Sequence, residues 1–122
     1  MTFAEAMDKL RAICLALPEA TEGGGVGNPT FRVRDKIFAM QHPFHDRPSM
    51  WCKAPHGFQG MIVESDPEHF FVPPYVGKSG WIGIWLDLEL DWDHIAELVD
   101  ESYRMTAPKR LLKLLPSNPE KP

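Results

Sequence analysis

Alternating arginines near residue 30 are the side chains of this sequence with the clearest chemical use. Arg32 and Arg34 lie two residues apart in a stretch that alternates polar and apolar positions, so they share the open face of a predicted strand, and Lys36 follows. A guanidinium group binds phosphate oxygens in a forked geometry, and each phosphate that a protein neutralises releases counterions. The pattern is therefore typical of a hairpin that lies along a phosphate backbone. A solvated strand face, or salt bridges to acidic residues, would give the same pattern.

Basic residues are unevenly distributed along this chain of 122 residues, whose net charge is −4. Residues 32–53 hold five basic against two acidic side chains, and residues 102–122 hold five against one. Residues 54–101 hold ten acidic side chains and a single lysine. The net charge argues against strong, indiscriminate binding to polyanions. The sequence leaves open whether these segments form two oppositely charged regions of the surface or interleave and cancel.

Aromatic residues make up 11% of the chain and include four tryptophans, which is many for this length. Core packing explains most of them. Alternatively, Tyr75, Trp81 and Trp85 line a pocket for a small ligand or form a patch for a protein partner. A further alternative is that exposed rings beside Lys53 and Lys78 form a surface on which nucleic-acid bases stack.

Residues for catalysis, metal binding or cofactor binding do not form a complete set. His42 and His45 with Cys52 resemble part of a zinc site, but such a site needs four ligands, or three and a water. The glycine-rich residues 22–27 lack the lysine and the hydroxyl of a phosphate-binding loop, and they predict a flexible connector. We therefore expect no metal site, no cofactor and no catalytic residues.

Cysteine content and hydropathy bear on the location of the protein. Cys14 and Cys52 are the only cysteines, too few for a disulfide scaffold. No apolar run approaches the roughly 20 residues of a membrane span, and the N-terminus lacks the features of a secretory signal. These observations favour a cytoplasmic protein with no membrane partner.

The elements that must position the basic residues follow from periodicity. Apolar residues recur every three or four positions over residues 3–17 and 92–103, which predicts two amphipathic helices. Between the helices, apolar stretches predict four strands, at 30–34, 37–40, 50–53 and 81–86. Gly83 leaves room in an inner strand for a neighbouring chain or side chain.

Turns and termini complete the predicted organisation. Asp35 and Lys36 suit a tight reversal between the first two strands, and a short basic helix contains Lys109 and Arg110. Length and pattern indicate one α+β domain over residues 1–115 and a tail over 116–122.

The order of several motifs resembles the MmcQ/YjbR family. The matching stretches are Gly27-Asn28-Pro29-Thr30-Phe31-Arg32-Val33, Lys36-Ile37-Phe38-Ala39, Pro73-Pro74-Tyr75-Val76-Gly77-Lys78-Ser79-Gly80-Trp81-Ile82, residues 92–103 and Ala107-Pro108-Lys109-Arg110-Leu111. The resemblance implies a fold similar to the frataxin-like CyaY domain. In that fold, an antiparallel sheet of about four to five strands carries the N- and C-terminal helices on one face.

The resemblance also implies DNA binding, without enzymatic activity, through two basic hairpins that act as wings. By position, the wings are the hairpins around residues 34–36 and 41–48. With the basic residues elsewhere in the chain, the candidate nucleic-acid contacts are Arg32, Arg34, Lys36, Arg47, Lys53, Lys78, Lys109 and Arg110. A module that binds a protein or a small ligand through Tyr75, Trp81 and Trp85 is the alternative function.

Overall fold

The structure is a computed structural model that describes residues 1–24 and 28–115. The predicted tail over residues 116–122 lies outside these residues. The helices are α1 (Phe3–Leu15), α2 (Gln59–Ser65), α3 (Trp92–Thr106) and α4 (Lys109–Leu112), and one 3₁₀ turn covers Gly77–Ser79. The strands are β1 (Thr21–Gly23), β2 (Thr30–Val33), β3 (Lys36–Gln41), β4 (Ser49–Lys53), β5 (Phe70–Phe71) and β6 (Trp81–Trp85). No helix in the described part is long and apolar enough to cross a lipid bilayer.

The strands form one six-stranded antiparallel sheet in the order β1-β2-β3-β4-β6-β5. The predicted α+β class is confirmed, and the sheet has slightly more strands than the predicted four to five. The two edge strands, β1 with three residues and β5 with two, are the shortest. All residues of β1 are exposed, so the sequence offers no alternation of apolar and polar positions that would predict a strand there.

The hairpin between β2 and β3 turns at Arg34 and Asp35. Val33 pairs with Lys36, and the two residues between them have φ of 53° and 65°. Positive φ at both central positions is characteristic of a type I′ turn, whose twist matches that of the flanking strands. The reversal therefore comes one residue earlier than predicted, and Arg34 lies at the tip of the turn rather than on a strand.

The connection between β3 and β4 is a second tight hairpin. Phe44 bridges to Arg47 across His45 and Asp46, whose φ values are 51° and 58°. Because the chain reverses direction at each turn of an antiparallel meander, successive turns lie at opposite ends of the sheet. The two hairpins that were expected to act as wings therefore lie at opposite ends of the sheet.

The N- and C-terminal helices pack on one face of the sheet, as predicted. Thr2 and Glu5 form the capping box that begins α1, and Asp91 caps α3 through its side chain. The core draws side chains from both helices and from five strands; its members include Leu10, Cys14, Phe31, Ala39, Met50, Cys52, Phe70, Ile82, Ile84, Val99 and Tyr103.

A buried serine connects α3 to two strands. The Oγ of Ser102 donates to the carbonyl oxygen of Phe38 at 2.6 Å and accepts from the backbone N–H of Lys53 at 2.9 Å. A register shift between Phe31 and Arg32 leaves Phe38 without a partner on β2. The hydroxyl therefore satisfies one backbone group of β3 and one at the end of β4, and it fixes both strands against α3.

Aromatic rings stack on one another around Gly83 in the sheet. Phe71 stacks on Trp85 with ring centroids 4.2 Å apart, and Phe44 stacks on Phe71 at 5.3 Å. A Cβ built on Gly83 would overlap the ring of Phe71. The prediction that Gly83 leaves room for a neighbouring side chain is confirmed.

Candidate functional site

Basic residues from separate parts of the chain meet at one end of the sheet. Arg34 and Lys36 lie at the β2–β3 turn, and Lys53 is the last residue of β4. Lys53 pairs with Trp81, the first residue of β6, and Lys78 lies in the 3₁₀ turn just before that strand. In an antiparallel sheet these positions share one end, because neighbouring strands run in opposite directions. We call this region, together with α4, the cationic end.

Lys53 is held in place by its own side-chain contacts. Its Nζ donates to Thr106 Oγ1 at 3.1 Å near the end of α3. Partial burial lowers the pKa of Lys53, and the nearby positive charge of Lys36 lowers it further. Lys36 and Lys53 lie at the same end of the paired strands β3 and β4, and an anion bound between them would relieve their repulsion.

A shared carboxylate brings α4 to the β2–β3 hairpin. Glu19 accepts from Arg110 Nη2 at 3.1 Å and lies 3.3 Å from Arg34 Nε. Two guanidinium groups share one carboxylate, so the cluster keeps a net positive charge. Sequence reasoning missed Glu19, because Arg110 is 91 residues away along the chain and no local spacing connects the two.

The lysines of the cationic end differ from its arginines in having no carboxylate partner. Within residues 1–24 and 28–115, no acidic oxygen lies within 4.0 Å of Lys36, Lys53, Lys78 or Lys109. Lys36, Lys78 and Lys109 are also exposed. Their ammonium groups are therefore free to contact an anionic ligand, whereas Arg34 and Arg110 would have to exchange Glu19 for it.

Two adjoining clefts border Lys78. The first has a volume of about 520 Å³, and its lining includes Lys53, His56, Lys78, Ser79, Gly80 and Met105. The second has a volume of about 580 Å³ and is lined by Val72, Pro73, Pro74, Tyr75, Gly77 and Lys78. The first cleft offers two ammonium groups and a hydroxyl, which are suitable partners for phosphate oxygens.

The three aromatic residues that were candidates for a ligand pocket are not in similar environments. Tyr75 is 89% exposed, whereas Trp81 and Trp85 are only 6% and 8% exposed. Trp85 is covered on its ring faces by Phe71 and by the guanidinium of Arg47, which lies 3.9 Å from the ring centroid. Of the three rings, therefore, only Tyr75 presents its surface to solvent.

Two of the candidate arginines, Arg47 and Arg32, are held by contacts within the protein. Arg47 belongs to the hairpin at the other end of the sheet, where its Nε and Nη2 donate to both oxygens of Asp87 at 2.7 and 2.8 Å. Arg32 lies within β2, and its Nε donates to Thr30 Oγ1 at 3.2 Å. These contacts position both guanidinium groups against the protein itself.

Acidic residues collect at the end of the sheet that is opposite the cationic end. Asp87 and Glu89 follow β6, and Asp91 begins α3. His69 connects this region to the start of β5: its Nδ1 lies 2.9 Å from Asp66 Oδ2, and its Nε2 lies 2.9 Å from the carbonyl oxygen of Glu89. The uneven charge of the sequence thus becomes an uneven charge in space.

The histidines and cysteine considered for metal binding are engaged otherwise. His42 stacks on Trp51 with ring centroids 4.3 Å apart, His45 is at a turn tip, and Cys52 is buried in the core. Burial raises the pKa of the Cys52 thiol. Across the described ranges, no three histidine, cysteine or acidic side chains are arranged to share a metal ion.

Comparisons with known proteins agree with this fold. A crystal structure of a Deinococcus radiodurans protein with the domain called DUF419 is similar, with a TM-score of 0.74 and 20% identity over 94% of this chain and 92% of that one. A crystal structure of a Pseudomonas syringae protein, a structural genomics target, is similar with a TM-score of 0.65 and 16% identity over 87% of this chain and 99% of that one. No curated protein matches the chain in sequence. The YjbR family profile matches residues 15–105, which is most of the chain, and the protein therefore belongs to the YjbR family.

Proposed function

We propose that the protein binds nucleic acid by its phosphate backbone through the cationic end. The observation that carries this proposal is a set of three lysines from separate segments that have no acidic partner among the described residues. Lys53 and Lys78 line one cleft, and Lys36 begins β3, the strand paired with β4, at the same end of the sheet. Ammonium groups in such an arrangement can contact successive phosphates.

The net charge of −4 does not oppose this function, because it includes Asp87, Glu89 and Asp91, which lie at the other end of the sheet. The five residues of β4 run between the two ends and span roughly 16 Å. The Debye length at physiological ionic strength is only about 8 Å, so the acidic end is largely screened from a strand bound at the cationic end. A local basic surface therefore determines binding more than the total charge does.

Affinity that depends on three phosphate contacts has a defined salt dependence. For duplex DNA, the slope of log K against log salt is about −0.9 for each neutralised phosphate, or about −2.7 for three lysines. Affinity should then fall about 40-fold when salt rises from about 50 to about 200 mM.

Fluorescence anisotropy with a labelled oligonucleotide of about 12 residues, as a single strand and as a duplex, tests the proposal. The triple variant Lys36→Gln, Lys53→Gln, Lys78→Gln should bind at least tenfold more weakly, and its salt slope for duplex DNA should be shallower by about 2.7. Lys9→Gln in α1 removes a lysine outside the cationic end and should bind like the natural protein. The proposal fails if neither form binds at low salt, or if the triple variant binds as well as the Lys9 variant.

A further inference from the structure

Tyr75 is the most exposed large apolar or aromatic side chain in the described part of the chain, at 89%. Aromatic side chains are usually at least partly buried, whereas almost all of the Tyr75 side chain is open to water. Tyr75 and Lys78 line the same cleft. An aromatic ring and a cation therefore border one cleft.

The backbone at Tyr75 is held in a strained conformation. Its φ is 67°, and the N–H of Val76 donates to the carbonyl oxygen of Pro74 at 2.7 Å, which closes a three-residue turn with Tyr75 at its centre. A γ-turn with positive φ at the central residue is the rare, strained form. Such outliers persist where the surrounding structure enforces them, and they concentrate at ligand sites.

The segment after the turn is anchored to the rest of the protein. Gln59 of α2 donates from Nε2 to the carbonyl oxygens of Gly77 and Trp81, at 2.8 and 2.6 Å. The N–H of Trp81 donates to the carbonyl oxygen of Val76 at 3.4 Å. Pro73, two residues before Tyr75, is buried. The ring is therefore presented from a fixed support, which reduces the entropy lost when a planar group stacks on it.

We infer that Tyr75 stacks on an unpaired base while Lys78 and Lys53 contact the neighbouring phosphates, so that the cationic end selects single-stranded nucleic acid. This inference rests on the proposed function. A base has a free π face only where it is not stacked within a duplex, and aromatic platforms beside a basic groove are the usual means of binding single strands. In a duplex, Tyr75 would meet the backbone and contribute nothing.

The test compares single strand and duplex in the same anisotropy assay, with Tyr75 replaced. Tyr75→Asn removes the ring while keeping a residue that tolerates positive φ, and Tyr75→Phe keeps the ring as the matched control. Stacking of one base corresponds to a fold-change in affinity of about 5 to 150. Tyr75→Asn should therefore lose single-strand affinity within this range, with duplex affinity unchanged, and Tyr75→Phe should bind like the natural protein.

The outcomes separate this inference from the proposed function. If the natural protein binds single strand and duplex equally and Tyr75→Asn changes neither, the inference is overturned while backbone binding stands. The inference is also overturned if Tyr75→Phe loses as much affinity as Tyr75→Asn, because the hydroxyl and not the ring would then be responsible. If neither form of nucleic acid binds and the lysine variant makes no difference, the proposed function itself fails.

Discussion

Replacing Ser102 by alanine should destabilise the protein strongly, although the change removes a single oxygen. The Ser102 hydroxyl lies between the carbonyl oxygen of Phe38 and the backbone N–H of Lys53, and it is completely buried. Alanine fits the space but leaves both backbone groups without this partner. Water cannot take the place of the hydroxyl, because the surrounding core is closely packed.

The magnitude follows from these two groups. A buried polar group that loses its hydrogen bond costs about 1–3 kcal/mol, and the N–H of the half-buried Lys53 should lie at the low end of this range. We therefore expect the free energy of unfolding to fall by about 2–4 kcal/mol. With an unfolding entropy of about 2.1 cal/mol/K for each of the 122 residues, Tm should fall by about 8–16 °C.

Chemical denaturation followed by tryptophan fluorescence, together with a thermal scan, measures this change. Ser65→Ala is the matched control, because the Oγ of Ser65 donates to the carbonyl oxygen of Ile62 at an exposed position. The control should lie within about 0.5 kcal/mol of the natural protein. If Ser102→Ala also lies within that margin, the hydroxyl does not stabilise the junction of α3 with the sheet, and the reasoning is wrong.

Two further predictions concern packing and pH. Gly83→Ala should lower the free energy of unfolding by about 1–3 kcal/mol, because the added methyl group overlaps the ring of Phe71, and denaturant titration would measure the loss. Hydrogen bonding to Asp66 raises the pKa of His69 above its ordinary value of 6.5. The stabilisation by protonated His69 is therefore fully present below pH 6.5 and disappears as pH rises through the raised pKa. Between pH 6 and 8, the natural protein should lose stability relative to His69→Gln, and parallel pH profiles of the two would contradict this.

The sequence predicts the central elements of the fold because each has a strong pattern. Helix α3 has an apolar stripe and a capping aspartate, Asp91, and β6 is an uninterrupted apolar run. The edge strands β1 and β5 lack such patterns, since they are two or three residues long and are stabilised by pairing with a longer neighbour. The sequence predicts this turn one residue too late, at Asp35 and Lys36. Neither residue of the observed turn, Arg34 or Asp35, is a glycine or an asparagine, which are the usual residues at positive φ.

The candidate site is less accessible to sequence reasoning, because it depends on which basic residues share an end of the sheet. The separation of Arg47 from Arg34 follows from the number of chain reversals between them. Counting the turns of the predicted antiparallel meander is therefore enough to place the two arginines at opposite ends of the sheet. The meeting of Arg34 and Arg110 at Glu19 has no local signal. No local signal in the sequence predicts the different exposure of Tyr75 and Trp85 either, because the Trp85 ring is covered by the guanidinium of Arg47, which is 38 residues earlier in the chain.

Asp87, Glu89 and Asp91 lie at one end of the sheet and Lys36, Lys53 and Lys78 at the other, which gives the molecule an electric dipole along the strands. The electric field of a polyanion orients such a protein before the two make contact, so that the cationic end approaches first. The consequence is kinetic: steering of this kind raises the association rate at low ionic strength without requiring a positive total charge. A small acidic protein can in this way approach a negatively charged polymer faster than its isoelectric point indicates.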